Sequence, residues 1–438
     1  MMTDTAPSRS EALGPLLGAD RITAIDTLRG VAVLGILVMN IYAFAMPFAA
    51  YQNPLLLGGT EWYNLGTWFF THVFFDQKFM TIFSMLFGAG LIVMWQRAQA
   101  RDAPFSRIYL RRQLWLAAIG IVHGYLLWVG DILFHYAVIG LLAFTFRTRQ
   151  PRTLIIIACC LLAVAPLLSV GTAAYVDDLR DRIAVIDELA ATGETLDNDQ
   201  LATQDEWREI GKFVAPSRAD LQRDLDAHRG GYRDVLAFRA PTVVSMQTEA
   251  TFFFVLWRVG GVMLLGMALM KLGILAGTRS ERFYRRMQLM GYGLGLPLTI
   301  FSAYDLFSHQ WDGVYVLGGG MLSNYVGSIL VAFGHVATVM RIVNANLWPR
   351  LMARFTAVGR MALTNYLLHS IVLTTIFYGY GLGLYGAIPR AWQMAFVVLV
   401  LGLQLWLSPI WLRHYRFGPL EWAWRSLTYW RRQPLRRA

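Results

Sequence analysis

The chain has almost no cysteine and few charged residues for its length. Only 15% of its 438 residues are Asp, Glu, Lys or Arg, whereas 56% are hydrophobic. The two cysteines, Cys159 and Cys160, are adjacent within an apolar run, so they predict neither a useful disulfide nor a metal site. The eight histidines show no metal-ligand spacing, and no G-x-S-x-G motif occurs. We therefore expect no metal cofactor and no α/β-hydrolase type of active site.

Basic residues outnumber acidic ones, but the excess is uneven. The formal net charge is +11, yet residues 177–249 contain 16 acidic and nine basic residues, a net charge of −7. The other basic groups lie mostly in short loops at the ends of apolar runs, as the positive-inside rule predicts for cytoplasmic loops. A nucleic-acid-binding protein would gather them on one soluble face, so nucleic acid is not an expected partner.

Repeated apolar runs separated by short loops predict an all-α, polytopic transmembrane helix bundle. Ten runs are long enough, or nearly so, to cross about 30 Å of hydrocarbon. They are 27–47, 79–95, two arms of a hairpin at 111–147, 153–175, 251–272, 287–307, 314–340, 358–380 and 391–412. Segment 61–75 is aromatic and short, so we place it at the interface; if it crosses, the chain has eleven spans. Ten spans predict a five-and-five arrangement around a polar interior chamber, with both termini cytoplasmic.

The alternation of polar and apolar segments divides the chain into five parts. They are a polar N-terminal tail (1–20), a first transmembrane half (21–176), a periplasmic insertion (177–249), a second transmembrane half (250–413) and a basic cytoplasmic tail (414–438). The tail lacks the pattern of a cleaved signal peptide, so the first span is expected to remain as an anchor. We expect the insertion to lie outside the cytoplasmic membrane and to be dispensable for folding of the bundle.

The hairpin at 111–147 contains the most informative polar residues. His123 lies near the membrane midplane by residue count, Asp131 lies at the tip, and His135 follows four residues later. Ionisable side chains at this depth are costly and usually face a cavity or a partner. We predict that His123 is a general base and that Asp131 belongs to the site. Asp131 could instead cap the second helix, and His135 could be an interface residue.

Two further polar side chains share the predicted depth of His123. Asn40 lies 11 residues beyond Arg29, and His369 lies nine residues beyond Arg360. The functional hypothesis is a polar chamber in the core of the bundle. The alternative is that each side chain hydrogen-bonds to a neighbouring helix, as Asn and His often do in membranes.

Asp76 and Lys78 interrupt two apolar runs. They are either a neutralising pair or groups that line the mouth of a polar pore. The second option would suit a transporter or channel for a small solute. No convincing internal repeat is present, which argues against an inverted-repeat transporter. A structural or assembly role in the cell envelope is a third possibility.

Five motifs occur in order along nearly the whole chain. They are Arg21-Ile22-x-x-Ile25-Asp26-x-Leu28-Arg29-Gly30, the run 79–90 ending SMLFGAG, His123…Trp128-x-Gly130-Asp131-Ile132-Leu133, Gly359-Arg360-Met361-Ala362-Leu363-Thr364-Asn365-Tyr366, and Phe417-Gly418-Pro419-Leu420-Glu421-Trp422. Together they resemble the YeiB-like bacterial inner-membrane proteins. That family in turn resembles transmembrane acyltransferases that O-acetylate surface polysaccharides or N-acetylate heparan glucosamine. The second likeness rests on Asp-x-x-Arg-Gly followed by a polar residue ten positions after the glycine.

The resemblance implies an acyltransferase that moves an acyl group from cytoplasmic acyl-CoA, such as acetyl-CoA, to an envelope glycan, lipid or small molecule. In the polysaccharide branch the first-span polar residue is a catalytic histidine. Here it is Asn40, as in the heparan-type branch, so His123 would take the role of base. The implied catalytic set is therefore His123, Asp131 and Asn40.

Basic side chains at the cytoplasmic ends of the spans could hold the phosphates of CoA. Positive-inside anchoring explains the same arginines without a ligand. The predicted donor- and substrate-binding residues are Asp26, Arg29, Asp76, Lys78, Arg111, Arg112, Arg360, Asn365 and His369. Membrane lipid, CoA and the envelope acceptor are the expected partners, and a homodimer is left open.

Overall fold

The computed structural model describes residues 22–437, apart from the side chains of residues 213, 214 and 254. Within these residues the chain is helical, and its one isolated β-bridge joins Tyr415 to Arg436. The predicted all-α class is confirmed. The N-terminal tail (1–20) and Arg21 of the first motif lie outside the described residues.

Eighteen α-helices follow one another along the described residues. They are α1 Thr23–Ala45, α2 Phe48–Gln52, α3 Trp62–Phe74, α4 Lys78–Ala100, α5 Phe105–Val122, α6 Leu133–Phe144, α7 Pro151–Ala191, α8 Asn198–Val214, α9 Arg218–Arg229, α10 Tyr232–Gln247, α11 Leu256–Lys271, α12 Glu281–Ser308, α13 Gly313–Tyr315, α14 Leu322–Asn344, α15 Pro349–Arg360, α16 Ala362–Phe377, α17 Arg390–His414 and α18 Pro419–Tyr429. Three π-helical turns, His123–Leu127, Thr251–Val255 and Val316–Gly320, interrupt or precede them. Every predicted span overlaps at least one of these helices.

Several of the helices are long and apolar enough to cross a membrane. Among the described residues these are Thr23–Ala45, Trp62–Ala100 (α3 together with α4), Pro151–Ala191, Leu322–Asn344 and Arg390–His414. The bent pair Tyr232–Phe253 and Leu256–Lys271, which includes α10 and α11, counts as a sixth if it is one span. The chain is therefore a helical membrane protein. The ten-span count and the cytoplasmic position of both termini stay predictions.

Helices α1 and α15 cross at two glycines. A Cβ atom on Gly30 would lie 1.9 Å from the carbonyl oxygen of Phe355, and one on Gly359 would lie 1.8 Å from that of Asp26. Only glycine allows two helix backbones to approach this closely, as in small-residue contacts between membrane helices. The crossing brings the Asp26–Gly30 motif next to the end of α15.

The predicted span 358–380 is two helices rather than one. Helix α15 ends at Arg360, and α16 begins at Ala362 after a break at Met361. The Glu421 side chain of α18 accepts hydrogen bonds from the backbone N–H groups of Leu363 (2.6 Å) and Thr364 (3.0 Å). A carboxylate at this position satisfies amides that the helix itself leaves unpaired. Helix α18 of the predicted tail is thus packed into the bundle.

The insertion predicted at 177–249 is continuous with the bundle. Helix α7 runs unbroken from Pro151 to Ala191 across the predicted boundary at 176. In α10, Arg239 donates a 2.7 Å hydrogen bond to the carbonyl oxygen of Leu127 at the hairpin. These contacts make α10 part of the packed structure. We therefore revise the expectation that the whole insertion is dispensable and restrict it to the arm formed by the end of α7 and by α8.

Candidate active site

His123 is hydrogen-bonded to side chains from two other segments of the fold. Its Nδ1 atom lies 2.8 Å from Oδ1 of Asp131, and its Nε2 atom lies 2.8 Å from Oγ of Ser370 on α16. His123 and Ser370 are completely buried, and Asp131 is 5% exposed. The three side chains form a serine–histidine–carboxylate relay inside the bundle.

The broken tip of the hairpin places His123 and Asp131 together. His123 begins a π-helical turn at the end of α5. The chain then becomes extended at Trp128, whose ring stacks on Phe44 of α1 with a centroid distance of 3.9 Å. Asp131 accepts hydrogen bonds from the backbone N–H groups of Leu133 (3.2 Å) and Phe134 (2.8 Å). Asp131 therefore caps the start of α6, as one of its two interpretations predicts, and its role as a site residue stays a prediction.

The hydrogen-bond network assigns the protons of the relay. Asp131 accepts two backbone N–H bonds, and a carboxylate is an acceptor only. The imidazole must then donate to it from Nδ1–H, which leaves Nε2 as an acceptor. The hydroxyl of Ser370 consequently donates its proton to Nε2. This is the arrangement in which a histidine base activates a hydroxyl and a carboxylate orients the ring.

A cavity of about 210 Å³ lies next to the relay. Tyr366, four residues before Ser370 on α16, forms part of its wall. The Tyr366 ring centroid is 5.3 Å from that of His123, and its hydroxyl donates a 2.9 Å hydrogen bond to the carbonyl oxygen of Gly130. Tyr366 therefore separates the cavity from the buried histidine.

Arginine side chains dominate the charged lining of this cavity. Those that line it are Arg29, Arg97, Arg112, Arg360 and Arg425, and acidic Asp26 and Glu421 line it with them. Four of the predicted donor-binding residues, Asp26, Arg29, Arg112 and Arg360, are therefore brought together. Arg111 is not: its Nε donates to the carbonyl oxygen of Arg107, and it is absent from the lining.

Helix α18 closes one side of the cavity. The Arg112 guanidinium carbon lies 3.7 Å from the centre of the Trp424 ring, whose Nε1 donates a 2.9 Å hydrogen bond to the Arg112 carbonyl oxygen. Burial raises the pKa of the Glu421 carboxyl, although hydrogen bonds from Thr364 act in the opposite direction. The shape of the cavity thus depends on α18, which lies in the segment predicted from the sequence to be a basic cytoplasmic tail.

The predicted chamber of Asn40, His123 and His369 is not formed as a single hydrogen-bonded group. Nε2 of His369 is 2.8 Å from Oε1 of Gln404 on α17, and Gln404 donates in turn to the carbonyl oxygen of Asn365. Asn40 is half-buried, and within the described residues no hydrogen bond joins it to either histidine. His369 and Asn365 thus belong to the α16–α17 contact.

Asp76 and Lys78 belong to a second buried network. Nζ of Lys78 donates to Oδ1 of Asn324 (2.8 Å) and to the carbonyl oxygen of His72 (2.6 Å). Nδ2 of Asn324 donates to Oδ2 of Asp76 (2.6 Å), so Asn324 bridges the two charges. The pair is therefore held by α14 and lies outside the arginine-lined cavity.

Ser370 and Tyr366 are the functional candidates that we did not single out from the sequence. Tyr366 ends the fourth motif, and a residue four positions later shares its helical face. That spacing was the available signal for Ser370. Nothing in the sequence indicated that this face would meet the hairpin, because 247 residues separate Ser370 from His123.

Comparison with known proteins identifies the family. A family model described as a protein of unknown function (DUF418) matches residues 269–431. Uncharacterized protein YxaH of Bacillus subtilis (strain 168) is 30% identical over 433 residues, which cover 97% of this chain and 98% of the relative. Uncharacterized protein YeiB of Escherichia coli (strain K12) is 31% identical over 423 residues, or 93% and 96% of the two chains. The chain belongs to the YeiB-like family. In this YeiB-like protein Tyr366, Ser370 and Glu421 fall within the residues matched by the family model, whereas His123 and Asp131 precede them.

Proposed function

We propose that this YeiB-like protein is an integral-membrane acyltransferase that moves an acyl group from cytoplasmic acyl-CoA to an envelope glycan, lipid or small-molecule acceptor. The supporting observation is that Tyr366 lines the arginine-lined cavity and also packs against the ring of His123 in the buried relay. Acetyl-CoA is the simplest donor. We place the protein in the bacterial inner membrane with both termini in the cytoplasm, which puts the arginines on the side where acyl-CoA is found.

The cavity suits one part of an acyl-CoA rather than the whole molecule. Its volume of about 210 Å³ is below the roughly 300–1,000 Å³ of pockets that bury drug-sized ligands. Arginine binds phosphate through two parallel hydrogen bonds, and several arginines converge here. We propose that these side chains hold the donor phosphates at the mouth while the thioester arm points towards Tyr366.

His123 supplies the base in this proposal. It would take the proton of the attacking hydroxyl or amine, while Asp131 holds the ring and stabilises the imidazolium. The proton then passes to the departing thiolate to give free CoA. Because His123 is completely buried, the Tyr366 side chain must move before the thioester can reach it.

A transporter or channel is the second candidate. The Asp76–Asn324–Lys78 network supports it, because ionisable residues inside a membrane bundle often mark a solute or proton path. Under this hypothesis the purified protein in liposomes would move a solute without consuming acyl-CoA. Acyl transfer would instead release CoA and need no gradient.

Donor binding tests the proposed function. The full chain, purified in detergent, should show a higher melting temperature with a thioether analogue of acetyl-CoA, because ligand binding stabilises the folded state by about 2.7 kcal/mol at 100 times Kd. Dephospho-CoA should stabilise it less, because one phosphate is missing. Absence of any shift with millimolar acyl-CoA analogues would contradict the proposal.

A further inference from the structure

We infer that Ser370 is a nucleophile that carries the acyl group as an ester on its Oγ atom between donor and acceptor. This inference rests on the proposed function and adds a covalent step to it. Its basis is the 2.8 Å contact between Ser370 Oγ and His123 Nε2, with Asp131 at the other ring nitrogen.

The hydroxyl of Ser370 is directed differently from those of two other buried helix serines, Ser84 and Ser328. Serine in a helix commonly donates its hydroxyl to a carbonyl oxygen three or four residues earlier. Ser84 does so to Met80 (2.8 Å), and Ser328 does so to Tyr325 (3.1 Å). Within the described residues Ser370 makes no such bond, and its one side-chain hydrogen bond is to His123. Its proton is therefore aimed at a base.

The Asp131 carboxylate fixes the orientation and the tautomer of the His123 ring. Asp131 is held by two backbone N–H groups at the start of α6, so its carboxylate keeps one position relative to Nδ1 of His123. Nδ1–H must point towards it, and Nε2 stays available for the Ser370 proton.

The covalent step balances without an additional reagent. Oγ of Ser370 attacks the thioester carbonyl carbon, its proton passes to Nε2 of His123, and the carbon–sulfur bond breaks. The same proton then moves to the thiolate, which leaves as CoA. In the second half, an acceptor hydroxyl or amine attacks the serine ester, its proton passes through Nε2 to Oγ, and the carbon–oxygen bond to serine breaks.

A carrier also fits the position of the relay within α16. Tyr366 lies at the cavity wall, and Ser370 lies one turn further into the bundle, away from the arginines. With the acyl group on Ser370, the anionic donor can leave before the acceptor arrives. The two substrates then never need to occupy the small cavity together.

The half-reaction without acceptor tests Ser370 directly. The full chain is incubated with acetyl-CoA and radiolabelled CoA, and the exchange of label into acetyl-CoA is followed. Peptide mass spectrometry of a parallel sample, incubated with labelled acetyl-CoA and quenched in acid, locates the acetyl group. We expect exchange in the wild-type protein and an acetyl group on Ser370, with both lost in Ser370→Ala.

Ser302→Ala is the matched control. Ser302 is completely buried in α12, and its Oγ has no hydrogen-bond partner within the described residues. This variant should exchange CoA at the wild-type rate. If Ser370→Ala does not fold, Ser370→Cys provides the second variant, because a thiol at this position should form an acetyl thioester that hydroxylamine releases.

The outcomes separate this inference from the proposed function. Acetyl-CoA that binds and is consumed without exchange or labelling of Ser370 would mean direct transfer, which overturns the serine carrier alone. An acetyl group on His123 would overturn it as well. Failure of any acyl-CoA to bind would overturn both.

Discussion

The Asp131 carboxylate joins His123 to the first turn of α6. Oδ1 lies 2.8 Å from Nδ1 of His123, and Oδ2 accepts a 2.8 Å hydrogen bond from the backbone N–H of Phe134. One side chain thus fixes both the tip of the hairpin and the orientation of the histidine ring. The glycine at position 120 leaves room for it, because a Cβ there would lie 2.8 Å from Oδ2.

We predict that Asp131→Asn lowers acyl transfer by up to about 10,000-fold, because an amide can force the wrong imidazole tautomer. Folding stability should change little through the cap, because Asn and Asp cap helices about equally well. Asp197→Asn is the control, because Asp197 caps α8 far from the relay. Turnover by both variants should be measured at equal amounts of folded protein. Equal turnover of Asp131→Asn and wild type would remove Asp131 from the site.

His123→Gln should lower turnover by about 100- to 10,000-fold, since a positioned general base is lost. We expect a stability cost of about 1–3 kcal/mol, because Asp131 and Ser370 would be left poorly paired inside the bundle. His369→Gln should leave turnover near the wild-type value, because His369 bonds to Gln404 instead of the relay. A larger loss of turnover in His369→Gln than in His123→Gln would contradict this assignment.

Arg112→Ala should weaken acyl-CoA binding by about 10- to 100-fold, as expected for a lost hydrogen bond to a charged group. Its neighbour Arg111 has the same charge but does not line the cavity, so Arg111→Ala should bind the donor normally. Dissociation constants can be measured by calorimetry with a thioether analogue. Equal weakening in both variants would indicate a general effect of membrane-surface charge rather than a binding site.

Gly359→Ala should destabilise the protein by about 1–3 kcal/mol, because the added methyl group overlaps the Asp26 carbonyl oxygen. Gly293→Ala in α12 provides the comparison, since nothing lies within 4 Å of a Cβ at that glycine. It should be neutral or stabilising, because alanine favours helix more than glycine does. Melting temperatures in the same detergent would compare them, and equal values would argue against the close crossing of α1 and α15.

Reporter fusions test the predicted topology. A reporter before Met1 and another after Ala438 should both report the cytoplasm. Protease added to spheroplasts should cut the segment around α8, whose acidic surface contrasts with the basic loops. An external N-terminus would favour a crossing by segment 61–75 and eleven spans.

The helical elements followed from local pattern. The apolar runs 27–47, 79–95 and 391–412 have bounds close to those of α1, α4 and α17. The reason is that a chain in hydrocarbon must pair its backbone hydrogen-bonding groups within one segment, which a helix does. The break at Met361 was missed, since it depends on Glu421, which lies about 60 residues away in sequence. Local composition cannot report a cap supplied by a distant helix.

The sequence by itself determined a membrane-embedded helical bundle, the polar hairpin, and the proximity in sequence of His123 to Asp131. Tertiary structure alone decided that Ser370 meets His123, that Arg112 lines a cavity and Arg111 does not, and that His369 turns towards α17. The physical reason is that hydrophobicity and helix period fix which segments enter the membrane. The rotation and pairing of those helices depend on close contacts such as Gly30 with Phe355 and Gly359 with Asp26, and these contacts join residues far apart in the chain.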